Sequence, residues 1–61
     1  MWIEYIAFKY KQDKRFKGGI NPRTFKYIGD FSKSRQETLE LINKQTENGY
    51  VYGIQEITHY A

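Results

Sequence analysis

The sequence predicts an α+β domain of order ββαβ: a three-stranded, mainly antiparallel sheet of strand order 2-1-3 with one helix packed on one face. Three observations predict it. Two early segments and one late segment are rich in aromatic and β-branched residues and free of proline, the composition of strands. Between the second and third stands Ser34-Arg-Gln-Glu37, the spacing of a capping box at a helix start. The first segment is apolar on both faces, which suits the middle of a sheet better than its edge.

The first predicted strand covers residues 2–10, with Trp2, Ile6 and Phe8 on one face and Ile3, Tyr5 and Ala7 on the other. From Lys11 to Pro22 the chain turns polar and basic, and Gly18-Gly19 and Asn21-Pro22 supply turn chemistry. The second strand is predicted over 23–31, where Phe25, Tyr27 and Phe31 alternate with Thr24, Lys26, Ile28 and Asp30. A helix then starts near Ser34, presents Leu39, Ile42 and Thr46 at helical spacing with Leu41 beside them, and ends at Asn48-Gly49. The third strand is predicted over 50–60, with Gly53 marking a bulge or a close approach. An antiparallel return beside the first strand leaves that strand central; a right-handed crossover to a parallel position beside the second is the alternative.

Sixty-one residues make one small domain, 1–61, which buries only about 60% of the surface of its unfolded chain. Eleven aromatic residues argue against disorder. No run approaches the roughly 18 apolar residues of a membrane span, and the start lacks the pattern of a signal peptide; the chain reads as soluble and cytoplasmic, with no membrane partner. With no cysteine and one histidine, disulfides, thiol catalysis and the usual zinc sites are excluded. No metal, cofactor or catalytic residue is expected. His59 reads as a strand-end histidine, and Glu37, Glu40 and Glu47 as helix support and solvation. Lys17-Gly-Gly lacks the order of a phosphate loop. The chain reads as a binding protein and not an enzyme.

Charge is unevenly placed. Residues 1–31 carry Lys9, Lys11, Lys14, Arg15, Lys17, Arg23 and Lys26 against Glu4, Asp13 and Asp30, whereas the remainder is slightly acidic. Cations attract phosphates and release counterions, and aromatic rings add stacking on bases. Phe8, Tyr10, Phe16, Phe25 and Tyr27 interleave with those seven cations, which are the candidate nucleic-acid-binding residues. One helix covers only one face of a sheet. If Ile6, Phe8, Phe25, Tyr27 and Phe31 lie beneath it, Ile3, Tyr5, Lys9, Lys26 and Ile28 face outward, joined by the tyrosines of the third strand. Ile3, Tyr5, Ile28, Tyr50 and Tyr52 are then the candidate face for a partner or for a homodimer.

The stretch Tyr27-Ile-Gly-Asp-Phe31-Ser-Lys-Ser34 is similar to the strand-to-helix junction of AP2-type and integrase arm-type DNA-binding domains and of peptidoglycan-binding SPOR domains. The likeness is confined to those residues and assigns no family. The arm-type comparison implies DNA contact through the sheet and its hairpin. The expected function is nucleic-acid binding, or an accessory role to it, through a basic, aromatic β-hairpin. The alternative is a protein-interaction module, an inhibitor or adaptor of phage or mobile-element origin, that docks its open sheet face on a larger protein.

Overall fold

The computed structural model describes residues 1–61. It contains β1 (Trp2–Lys11), β2 (Lys26–Ser32), α1 (Arg35–Lys44) and β3 (Tyr50–His59), with one turn of 3-10 helix at Lys17–Gly19. The strands form one sheet in the order β2-β1-β3, and both pairings are antiparallel. The ββαβ order and the central first strand are those the sequence predicts.

The two pairings differ in quality. β1 and β3 run in register without a slip from Trp2 opposite His59 to Lys11 opposite Tyr50. Gly53 makes no bulge. It lies opposite Phe8, and a Cβ built on it would stand 2.9 Å from both Cε atoms of that ring, so the glycine is the seat on which the ring rests. β1 and β2 pair from Lys9 opposite Lys26 to Ala7 opposite Ile28, after which Tyr5 meets Ser32. The second strand therefore takes four steps where the first takes two, a bulge of two extra residues. Gly29 bends the chain there at φ 69, and a Cβ on it would meet Leu41 Cδ2 at 2.6 Å. β2 starts later than the sequence pattern predicts because Asn21 and Pro22 hold a turn: Thr24 N–H donates to Asn21 O at 3.0 Å and Phe25 N–H to Pro22 O at 3.4 Å.

Ser34 caps α1 as its sequence signature predicts, its hydroxyl accepting from Glu37 N–H at 3.2 Å. The reciprocal half of the box is relayed. Ser32 Oγ accepts the Ser34 N–H at 3.0 Å and donates to Glu37 Oε2 at 3.0 Å. The helix stops at Lys44, short of Asn48-Gly49. Gln45 N–H and the Thr46 hydroxyl both donate to Ile42 O, each at 3.0 Å, and the Tyr52 hydroxyl donates to Gln45 O at 2.8 Å. The carbonyls that would have continued the helix are thus occupied. Gly49, at φ 88, turns the chain into β3 instead.

The helix lies on the face opposite to the one the aromatic count favours. Ala7, Ile28 and Ile42 form the core, with Leu41, Tyr52 and Ile54 packed against it, so Ile28 points inward and Phe8 and Tyr27 do not lie beneath α1. The register explains the choice. Ile28, Ala7 and Ile54 form a row across all three strands, and the small Ala7, the most buried residue, lets the helix approach the central strand. Thr38, Leu41 and Ile42 face that row at helical spacing, and Leu39 lies half-buried at the flank.

The resulting body is thin and wide, 40 × 26 × 13 Å. Ten helical residues span about 15 Å above strands of about 33 Å, so α1 covers only the middle of its face. The chain exposes 4885 Å², where a compact protein of its mass exposes about 4,200 Å². Its radius of gyration is 12.9 Å, against about 10.5 Å for a globule of this length. No helix is long and apolar enough to cross a membrane.

Candidate nucleic-acid interface

Strand alternation sends Trp2, Glu4, Ile6, Phe8 and Tyr10 of β1 to the face without the helix. There they meet Val51, Gly53, Gln55, Ile57 and His59 of β3, with Tyr27 of β2 opposite Phe8. At the hairpin end of this face four rings touch. Phe8 stacks on Phe25 with centroids 5.3 Å apart and on Tyr10 at 6.2 Å, and Phe25 meets Tyr27 edge-on at 5.2 Å. Offset and edge-on contacts suit the quadrupoles of the rings. The Tyr27 hydroxyl donates to Gln55 Oε1 at 2.8 Å across β1. Tyr27 remains 54% exposed, Phe8, Tyr10 and Phe25 are half-buried, and Ile6 is buried among its neighbours. The result is a preformed apolar platform, held in place by the Gly53 seat.

The far end of the same face is fastened differently. The Trp2 ring stacks on His59 at 4.7 Å and 12°, and Trp2 Nε1 donates to Glu4 Oε1 at 3.3 Å. His59 Nε2 lies 2.8 Å from the same oxygen, at ion-pair distance but without hydrogen-bond alignment. These three side chains pin the ends of β1 and β3 together. The position of His59 at a strand end is legible in the sequence; its pairing with Trp2 and Glu4 required the register. No cluster of three or more metal-ligating side chains exists.

The cations divide into two sets. Lys9 and Lys11 alternate with Phe8 and Tyr10 and so project to the helix side. Both ammonium groups sit over the Tyr50 ring, at 4.6 and 5.3 Å. Lys9 Nζ also donates to Glu47 Oε1 at 3.2 Å, and that hydrogen bond raises its pKa above the ordinary lysine value. Lys26 lies opposite Lys9 on the same side. The interleaving of rings and cations in sequence therefore separates them in space, and these three lysines do not line the ring platform.

Lys14, Arg15, Lys17 and Arg23 occupy the hairpin loop beyond the ring end. The loop is built, not slack: Gln12 bridges Ile20, Asp13 N–H donates to Gly19 O at 2.9 Å, and Lys11 N–H donates to Thr24 Oγ1 at 2.8 Å. Arg15 forks onto Asp13, with Nε on Oδ1 at 3.1 Å and Nη2 on Oδ2 at 2.8 Å, while its backbone N–H adds a bond to Oδ1 at 3.0 Å. The guanidinium hydrogen bonds, followed by the backbone bond, lower the Asp13 pKa to about 2. Lys14, Lys17 and Arg23 take part in none of the three salt bridges. Arg15 and Arg23 flank Phe16, Asn21 and Pro22 around an open recess of about 370 Å³, a grouping the linear sequence does not reveal.

The partner face inferred from sequence does not exist as drawn. Ile28 belongs to the core. Tyr52 is held by Gln45 O and Glu47 N–H, and Tyr50 lies under the two lysines. Ile3 and Tyr5 are on that side, Ile3 37% exposed and Tyr5 partly buried. The uncovered face is the one carrying Phe8, Tyr10 and Tyr27. No family model matches the chain, and no curated protein and no solved structure matches it.

Proposed function

We propose that the protein is a non-enzymatic binder of single-stranded nucleic acid. Bases stack on the exposed Tyr27 and on Tyr10 at the rim of the platform, which Phe8 and Phe25 support, and phosphates meet Lys14, Lys17 and Arg23 of the adjoining loop. The observation that carries this reading is the coincidence of the two features at one end of the molecule. The four touching rings end where the hairpin loop begins, and between residues 9 and 29 Asp13 is the only acidic side chain against seven cations. Ring faces tolerate any base, and stacking contributes about 1–3 kcal/mol per base. A duplex hides its bases between the strands, so exposed rings favour single strands.

Fluorescence anisotropy with short single- and double-stranded probes over a salt series tests the proposal. The parent should prefer the single strand. Replacing Lys14, Lys17 and Arg23 together by Ser should reduce the salt slope by about two to three, since each lost phosphate contact releases one fewer counterion. Absence of salt-sensitive binding to either probe at low salt would refute the reading. One observation favours a second reading, docking of a larger protein on the open face: that face carries no Lys or Arg. Such docking would be nearly insensitive to salt.

A further inference from the structure

The two edges of the sheet are not equivalent. β2 is seven residues long, bulged at Gly29, and carries Lys26 and Asp30. Short length, bulges and charged side chains are the means by which natural sheets prevent edge-to-edge pairing. Of these guards β3 carries only the charge of Glu56. It is ten residues long, has an unbroken register with β1, contains no Lys, Arg or Pro, and has Glu56 as its one acidic residue. Apart from Tyr50, whose N–H donates to Glu47 O at 3.5 Å, no backbone group on its outer side has a partner from another segment. Its composition, Tyr-Val-Tyr-Gly-Ile-Gln-Glu-Ile-Thr-His, is strongly strand-forming.

We propose that β3 pairs antiparallel with β3 of a second copy, joining two chains into one six-stranded sheet about a two-fold axis at Ile54. The strand is its own complement in this register. Ile54 meets its symmetry mate, Val51 meets Ile57, Tyr52 meets Glu56, Tyr50 meets Thr58 and Gly53 meets Gln55. No like charges are opposed, and the Val51–Ile57 contact occurs twice, as a two-fold axis requires. Longer-range charge agrees with it. The axis directs the two basic hairpins to opposite ends of the assembly and brings the hairpin end of each copy alongside the Glu4 end of the other. An axis perpendicular to the sheet leaves both helices on one side and both ring platforms on the other. The pairing therefore does not compete with the nucleic-acid site and does not depend on it.

Sedimentation velocity from low micromolar to several hundred micromolar protein tests the inference, with three variants. Val51→Lys with Ile57→Lys opposes two lysine pairs across the axis and should give monomers at every concentration. Val51→Glu with Ile57→Lys keeps the same second substitution, replaces repulsion by two ion pairs, and should restore the dimer. Tyr27→Lys lies on the far strand and should leave the dimer intact. Circular dichroism confirms that each variant is folded, and the shared Ile57→Lys makes the first two direct controls for each other. A monomeric parent at several hundred micromolar overturns the proposal. So does a dimer that Tyr27→Lys dissolves while both Val51/Ile57 variants retain it, which would place the contact on the ring face.

Discussion

Gly53→Ala isolates the contact that holds the ring platform. The new Cβ would come within 2.9 Å of both Cε atoms of Phe8, and nearer still to Cζ, where ordinary contact begins near 3.4 Å. The ring cannot escape by turning about its own axis, because its tip and both flanks are engaged. It must lift by about 1 Å, which disturbs its stacking on Phe25 and Tyr10. Overpacking of this kind costs about 1–3 kcal/mol, offset by the roughly 0.5–1 kcal/mol that Ala gains over Gly within a strand. The net loss of about 1–2 kcal/mol should lower Tm by about 5–15 °C in a domain of this size. Thermal and urea denaturation at one fixed protein concentration measure it, since self-association makes Tm concentration-dependent. The decisive experiment is a double-mutant cycle. In a Phe8→Leu background the same Gly53→Ala change should be neutral or stabilising. If Gly53→Ala melts at or above the parent in the native background, the seat described for Phe8 is wrong.

Ile42→Ala removes a buried branched side chain from the Ala7–Ile28–Ile42 core and should cost about 2–5 kcal/mol, leaving most of the chain unfolded by circular dichroism at 25 °C. Tyr27→Leu, at a 54% exposed ring, should leave the fold intact and weaken single-strand binding by about 1–3 kcal/mol, read from anisotropy titrations. Asp13 sets the acid behaviour of the hairpin. Its folded pKa of about 2 lies below the ordinary 3.8, so the loop order it supplies is fully present above pH 3.8 and is lost as pH falls through about 2. Amide chemical shifts of Arg15 and Gly19 should move across that window, and Asp13→Asn should abolish the movement.

The strand order and the helix start were legible because each rests on local chemistry: the Ser34 cap, and apolar residues on both faces of β1. The choice of face was not. β1 offers Ile6 and Phe8 on one side and Tyr5 and Ala7 on the other, and counting apolar bulk favours the side with the rings. Approach distance decides for the side with Ala7, because a short helix bearing Thr38, Leu41 and Ile42 packs against a small central residue flanked by Ile28 and Ile54. Once the parity is set, the site follows: Lys9, Lys11 and Lys26 go with the helix, and Phe8, Tyr10 and Tyr27 go to the open face. The bulge at Gly29 and the stop at Lys44 also escaped the pattern, since both depend on tertiary partners, Leu41 over the glycine and the Tyr52 hydroxyl on Gln45. The Trp2–Glu4–His59 cluster joins residues from the two ends of the chain and needed the β1–β3 register to be seen.

The mismatch between a helix about 15 Å long and the roughly 33 Å of β1 and β3 has a consequence for internal motion. Amide protection rises with local burial and cooperative hydrogen bonding, so exchange with solvent should be slowest around Ile6, Ala7 and Ile54, where α1 overlies the sheet, and faster toward both strand ends. The hairpin end, where the rings and loop cations meet, should therefore open by local fluctuations that leave the core intact. A ligand held there would slow exchange at Tyr10, Lys11 and Phe25 while the central amides kept their parent rates, separating occupancy of the site from any change in the stability of the whole chain.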